Sequence, residues 1–436
     1  MVVGHLIFDT RSLLVCSLTC YSWYIAAVPH LHHTLTAPTW CEYVGAKRIW
    51  PKPLQDAHEL GLLPLVQKFQ VHRRDPKNFL EFSPERFNRR SLRHFLALTN
   101  VQELVIDCLD IPGFMPNIRQ YFGHVFPTLR SLAMGEPKGS RRQIIYFIRL
   151  FRHLEDLEIL YDKAGPEERP DDDVTLVPSF IPPLRGRLAM RSTRVDLLKD
   201  MIYLFGGIRS RYLDISNVGG TPLLLDSCAE TLETLRLSPT DAHGKECSLS
   251  NARVLADDLS VEPLAGGINL SQNTSLQTLE FRAWHLDEAM EVYPLSATMD
   301  FLTHTLSSIN SPLFSKVVLF YRDFDFRGID TPWSGLALRQ PSPKQVELEA
   351  MEHRNRFMMI RHIRTYRHFQ LVLCADVWDG AGDYSVRSLE QAVAAEKARG
   401  GFSQNFPEPL VIHRPRGSRQ NPIDYWTTTR IMWIPL

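Results

Sequence analysis

Three groups of residues carry side chains that could do chemistry. His30 and His33, with His32 between them, could share a helical face. No carboxylate or thiolate stands near them in sequence, so surface or capping histidines are expected rather than a metal site. Cys16 and Cys20 are four residues apart on a helical pattern, where small buried apolar side chains are expected rather than a nucleophile. Asp171, Asp172 and Asp173 are consecutive, and three adjacent carboxylates cannot all face one cation from a helix or a strand; a solvated loop is expected. Gly219–Gly220 and Gly266–Gly267 lack the further glycine and the lysine of a phosphate-binding loop. The sequence contains no G-x-S-x-G, H-E-x-x-H or C-x-x-C. The expectation is therefore a protein that is not an enzyme and needs no cofactor or metal.

Charge points away from polyanions as partners. Lysine plus arginine equals aspartate plus glutamate at 49 each in 436 residues, so no global field draws the chain to nucleic acid or to an anionic membrane. The local basic run of Arg361, Arg364 and Arg367 with His362 and His368 follows glutamates in a helical pattern and reads as a solvated helix face. Seven scattered cysteines fit a reducing setting, cytoplasm or nucleus, better than a disulfide framework. The opening MVVGHLIFDTR has no basic n-region and is not a signal peptide. Ser12 to Cys41 contains no Asp, Glu, Lys or Arg. A membrane span needs about 20 predominantly apolar residues, whereas Ser17, Thr19, Ser22, Pro29 and three histidines interrupt this stretch. A helix pair buried in protein is expected ahead of interfacial membrane binding, and no membrane span.

The elements that would position these residues follow one spacing. Apolar side chains fall at i, i+3, i+6 and i+8 in Leu98, Val101, Leu104 and Ile106, and again in Phe126, Leu129, Leu132 and Met134. Phe151, Leu154, Leu157 and Ile159 repeat it, as do Ala229, Leu232, Leu235 and Leu237; shorter copies lie at Leu276–Phe281, Leu188–Met190 and Leu213–Ile215. The steps between equivalent leucines are 28, 25, 31, 25 and 22 residues from Leu104 through Leu132, Leu157, Leu188 and Leu213 to Leu235, which surround the length of a leucine-rich strand-plus-helix unit. The last two apolar residues of each copy alternate as on one side of a strand.

Helices are predicted between the strands. Ser140 and Gln143 have capping-box spacing ahead of Ile144, Ile145, Phe147, Ile148 and Phe151. Val195, Leu198, Ile202 and Phe205 form a stripe that Gly206–Gly207 can end, and Thr221 is an N-cap candidate before Pro222. Leu235 to Leu279 spans 44 residues, about two units, with an insertion-like stretch at 257–267. Lys316–Tyr321 and Gln370–Val377 read as further strands, with a charged helix at about 344–368 between them, and Val386–Arg399 as a last helix before Gly400–Gly401. The tail after Phe402 reads as a poorly ordered extension. The fold class is α/β: an irregular leucine-rich-repeat solenoid, parallel strands backed by helices, behind a short N-terminal helical segment. The divisions are 1–40 (helical segment), 41–97 (connecting region), 98–377 (repeats) and 378–436 (helix and tail).

Residues 11–35, RSLLVCSLTCYSWYIAAVPHLHHTL, carry the sharpest motif. They resemble the second part of an F-box: Asp9, Ser12 and Leu13 match its turn, Cys16, Leu18, Cys20 and Trp23 its Cys/Trp run, and Pro29–His30–Leu31 an ending common in fungal members. Together with the NVQEL strand, FPTLRSL, IIYFIRLFRHLEDLEIL and QLVLCADVWD, the chain is similar to F-box-like leucine-rich proteins of mushroom-forming fungi over most of residues 1–410. The resemblance implies a substrate-recognition subunit of a cullin–RING ubiquitin ligase, with a ligase adaptor protein at one end and an unidentified target protein on the repeats. It implies that Leu13, Leu14, Leu18 and Trp23 supply adaptor-facing or core-forming apolar surface. The family's Leu-Pro-x-Glu opening and first half-helix have no counterpart before Val2, so the segment is expected to be truncated at its N-terminus. The alternative is a stand-alone leucine-rich scaffold that no longer binds the adaptor. The regular asparagine that bonds backbone groups at each turn of regular arrays is also missed, Asn217 being offset, so the solenoid is expected to be irregular.

Overall fold

The computed structural model describes residues 10–37, 42–44, 47–49, 52–71, 97–107, 111, 125–135, 137, 139–160, 184–191, 195–204, 207–215, 221–237, 268–281, 303–321, 354, 357–358, 360–363, 369–377, 384–402 and 408–415. The chain divides into two compact units, Met1–Ile208 and Arg209–Leu436.

In the first unit, helices α1 (Thr10–Thr19) and α2 (Tyr21–Leu31) lead into strand β1 (Thr34–Ala37). A small antiparallel pair, β2 (Glu42–Val44) and β3 (Lys47–Ile49), and helix α3 (Lys52–Glu59) follow. Strands β4 (Lys68–Val71), β5 (Glu103–Asp107), β6 (Ser131–Gly135), β7 (Asp156–Leu160) and β8 (Arg187–Arg191) then join β1 in one parallel succession, β1-β4-β5-β6-β7-β8. Helix α4 (Arg141–Arg149) lies between β6 and β7, and α5 (Val195–Leu204) follows β8. The second unit repeats the plan. Strands β9 (Tyr212–Ile215), β10 (Thr234–Leu237), β11 (Thr278–Phe281), β12 (Lys316–Tyr321), β13 (Gln370–Val377) and β14 (Leu410–Pro415) pair in parallel in chain order. Helices α6 (Thr221–Ser227) and α7 (Tyr384–Ala398) belong to this unit.

The apolar spacing has a direct structural cause. Its first two positions are the ends of a tight turn, and its last two are the core-facing positions of the strand. The N–H of Leu129 donates to the Phe126 carbonyl at 3.3 Å and that of Leu154 to Phe151 at 3.2 Å. Both members of each turn are buried. Leu104, Leu132, Leu157 and Leu188 then stand opposite one another across four strands, and Leu213, Leu235, Leu279, Val317 and Leu371 do so in the second unit. Each of these nine is at most 2% exposed; burying one such side chain stabilises by about 1.5–3 kcal/mol.

Successive units are stapled at the strand entrance by one carbonyl that accepts two N–H groups. His33 takes those of Gln67 and Lys68, Gln67 those of Gln102 and Glu103, Gln102 those of Arg130 and Ser131, and Arg130 those of Glu155 and Asp156, all at 2.7–3.0 Å. Arg211, Glu233 and Gln277 do the same in the second unit. Side chains reinforce the staple where a regular array uses asparagine. Asn100 Nδ2 donates to the Pro64 carbonyl at 2.7 Å, Thr128 Oγ1 to Val101 at 3.0 Å, Ser275 Oγ to Glu230 at 2.7 Å, and Ser311 Oγ to Thr274 at 2.8 Å. Buried Asn273 donates to the Leu225 carbonyl at 3.1 Å. Mixed Asn, Thr and Ser side chains, rather than one regularly placed asparagine, make these bonds.

Several local expectations hold. Ser140 Oγ accepts from the Gln143 N–H at 3.3 Å while Gln143 Oε1 accepts from the Ser140 N–H at 2.9 Å, the reciprocal cap of α4. Gly207, at φ 104°, ends α5 with its N–H on the Ile202 carbonyl, and Gly400, at φ 69°, ends α7. Left-handed φ at such positions costs glycine nothing. Other expectations shift. Thr221 is the first residue of α6 rather than its cap. The 44 residues from Leu235 to Leu279 make one step, because β10 and β11 are direct neighbours. The tail after Phe402 contributes β14. The run at 171–173 and the stretch at 257–267 lie outside the described residues, as do 416–436.

Candidate docking site on the N-terminal helix pair

Two helices, whose residues from Ser12 onward carry no Asp, Glu, Lys or Arg, are joined by a single residue. Cys20, extended at φ −161° and ψ 167°, ends α1 and precedes α2, and its carbonyl accepts the Tyr24 N–H at 2.9 Å. Two hydroxyls of α1 are turned into its own backbone: Ser17 Oγ donates to the Leu14 carbonyl at 2.7 Å and Thr19 Oγ1 to Val15 at 2.9 Å. Pro29 sits in the last turn of α2. The seam is narrow. Leu13, Cys16 and Ala27 are buried, with Leu31 packed against them.

Seven large apolar side chains of the pair stand exposed beside Arg11, Thr19 and Ser22. Leu14 is 49% exposed, Val15 65%, Leu18 85%, Tyr21 76%, Trp23 38%, Tyr24 49% and Ile25 53%. With an aromatic side chain offering about 150–250 Å², these seven present on the order of 800 Å².

Three of the four expected docking residues, Leu14, Leu18 and Trp23, are therefore on the surface, and Leu13 is core at 1% exposed. Cys16 is buried as expected, whereas Cys20 is exposed, which corrects its expected burial. Val15, Tyr21, Tyr24 and Ile25 extend the surface beyond those four; the absence of Asp, Glu, Lys and Arg from 12–41 is the signal that marks them. His33 closes the segment, its Nδ1 3.2 Å from Thr34 Oγ1. Burial holds the pKa values of His32 and His33 below the ordinary histidine value; at His33, Glu103 opposes this while Lys68 and His30 add to it. Among the described residues no three His, Cys, Asp or Glu side chains gather as a metal site, and no helix is long and apolar enough to cross a membrane.

The strand face opposite the leucines is the other place where function could sit, and its central column is buried. In the first unit Gln70, Val105, Ala133, Glu158 and Ala189 occupy it, each at most 6% exposed. Arg187 Nη1 lies 3.7 Å from Glu158 Oε2. In the second unit the column runs Asp214, Arg236, Glu280, Val318 and Val372. Arg236 is 1% exposed and stands between two carboxylates: Nη1 is 3.7 Å from Asp214 Oδ2, and Nε and Nη2 both meet Glu280 Oε2. The Tyr212 ring lies 5.3 Å from the guanidinium carbon, and Tyr212 Oη donates to Glu280 Oε2 at 3.3 Å. Burial works against the charge on Arg236, but Glu280, with Tyr212 and Asp214, outweighs it and raises the pKa further above the ordinary arginine value. This arrangement ties the neighbouring strands β9, β10 and β11 together.

No family model matches the chain, and no curated protein matches it.

Proposed function

We propose that this chain is a protein-interaction subunit that docks through its N-terminal helix pair on the adaptor of a cullin–RING ubiquitin ligase and holds a target protein on its repeats. The mechanism is positional: both partners are gripped by one chain, so ubiquitin transfer gains from proximity. The observation that carries the reading is the run of seven exposed apolar side chains, Leu14 to Ile25, in a stretch without charge. Such a surface has an aromatic anchor in Trp23 and suits a desolvated protein interface. Because the central strand column is buried, the target falls to the exposed turn edge, where Arg130, Arg152, His153 and Glu155 meet solvent. A ligase subunit of this kind works in the cytoplasm or nucleus. Co-expression with the adaptor and purification through a tag on either protein tests the proposal. A one-to-one complex is the expected result. Recovery of the chain with a target but never with the adaptor favours the stand-alone scaffold and overturns the ligase reading.

A further inference from the structure

We draw no further inference here: the strongest candidate, the buried cluster of Asp214, Arg236 and Glu280 on neighbouring strands β9–β11, has its opposite charges paired within the sheet, and nothing in the structure points to a ligand that would enter it.

Discussion

Replacing Arg236 with methionine keeps an unbranched, flexible side chain, shorter than the arginine, and removes its charge. Asp214 and Glu280 are then left facing one another's strands at 0% and 1% exposure without the cation that stands between them. Breaking a buried ion pair by removing one partner costs about 3–5 kcal/mol, and each 1.4 kcal/mol is about tenfold in an equilibrium constant. Arg236→Met is therefore expected to raise the opening equilibrium of β9–β11 by about 10²–10³-fold or more. Native-state hydrogen exchange on the amides of Leu213, Leu235 and Leu279 reads this directly. The combined change Asp214→Leu, Arg236→Met and Glu280→Leu removes the charges together and should restore most of the protection, because a buried pair is worth little against apolar replacements. Loss of less than tenfold in Arg236→Met, or a combined variant as unprotected as the single one, would show that the buried charges do not depend on Arg236.

Other consequences are local. A Cβ at Gly186 would fall 2.9 Å from the Glu155 carbonyl oxygen and against the Asp156 carboxylate, which accepts the Arg187 N–H at 2.6 Å. Gly186→Ala should thus destabilise the β7–β8 pair by about 1–3 kcal/mol; unchanged exchange at Leu188 and Met190 contradicts this. His32 and His33 have folded pKa values lowered by burial, so the unfolded chain binds protons first as pH falls through about 6.5. Stability of the α2–β1 junction is full above that pH and declines below it, which proteolysis at pH 7.5 and 5.5 measures. The His32→Gln, His33→Gln variant should lose the difference, and a pH-independent parent chain argues against the assignment. Thiol labelling followed by mass spectrometry should mark Cys20 rapidly and leave Cys16 and Cys228 protected, the latter because it is buried with its pKa pushed up to about 11. Equal labelling of all three is the contrary result.

The repeat was legible because its spacing is dictated by geometry: a turn of three residues, then alternate strand positions. The same spacing marks Leu63, Val66, Phe69 and Val71, the buried turn and strand of β4, but a search for leucines passes over a copy made of valine and phenylalanine. β1 carries only Leu35 and Ala37 in the equivalent strand positions and has no such copy to find. The ion pairs of Arg236 could not be read, because a polar residue between two apolar strand positions looks solvent-facing. Its partners lie 22 and 44 residues away in sequence and meet it only through the register. At the N-terminal site the sequence supplied the apolar side chains but not their division. Leu13 and Leu14 are adjacent and chemically identical; the rotation of α1 against Ala27 puts one in the seam and the other in solvent.

The proposed docking rests on the exposed side chains of α1 and α2. Calorimetric titration of the purified ligase adaptor into the full chain and into its Leu18→Ala and Trp23→Ala variants tests it most directly. Leu18 is 85% exposed in the free chain and Trp23 38%, so Leu18→Ala should leave the circular dichroism spectrum and the melting temperature unchanged while weakening binding, and Trp23→Ala is compared below its own melting temperature. A buried anchor is worth about 2 kcal/mol or more, which corresponds to about 30-fold in Kd per residue. Binding by the parent chain that weakens by that factor in each variant is the predicted result; no binding by the parent, or equal affinity in all three, contradicts the account.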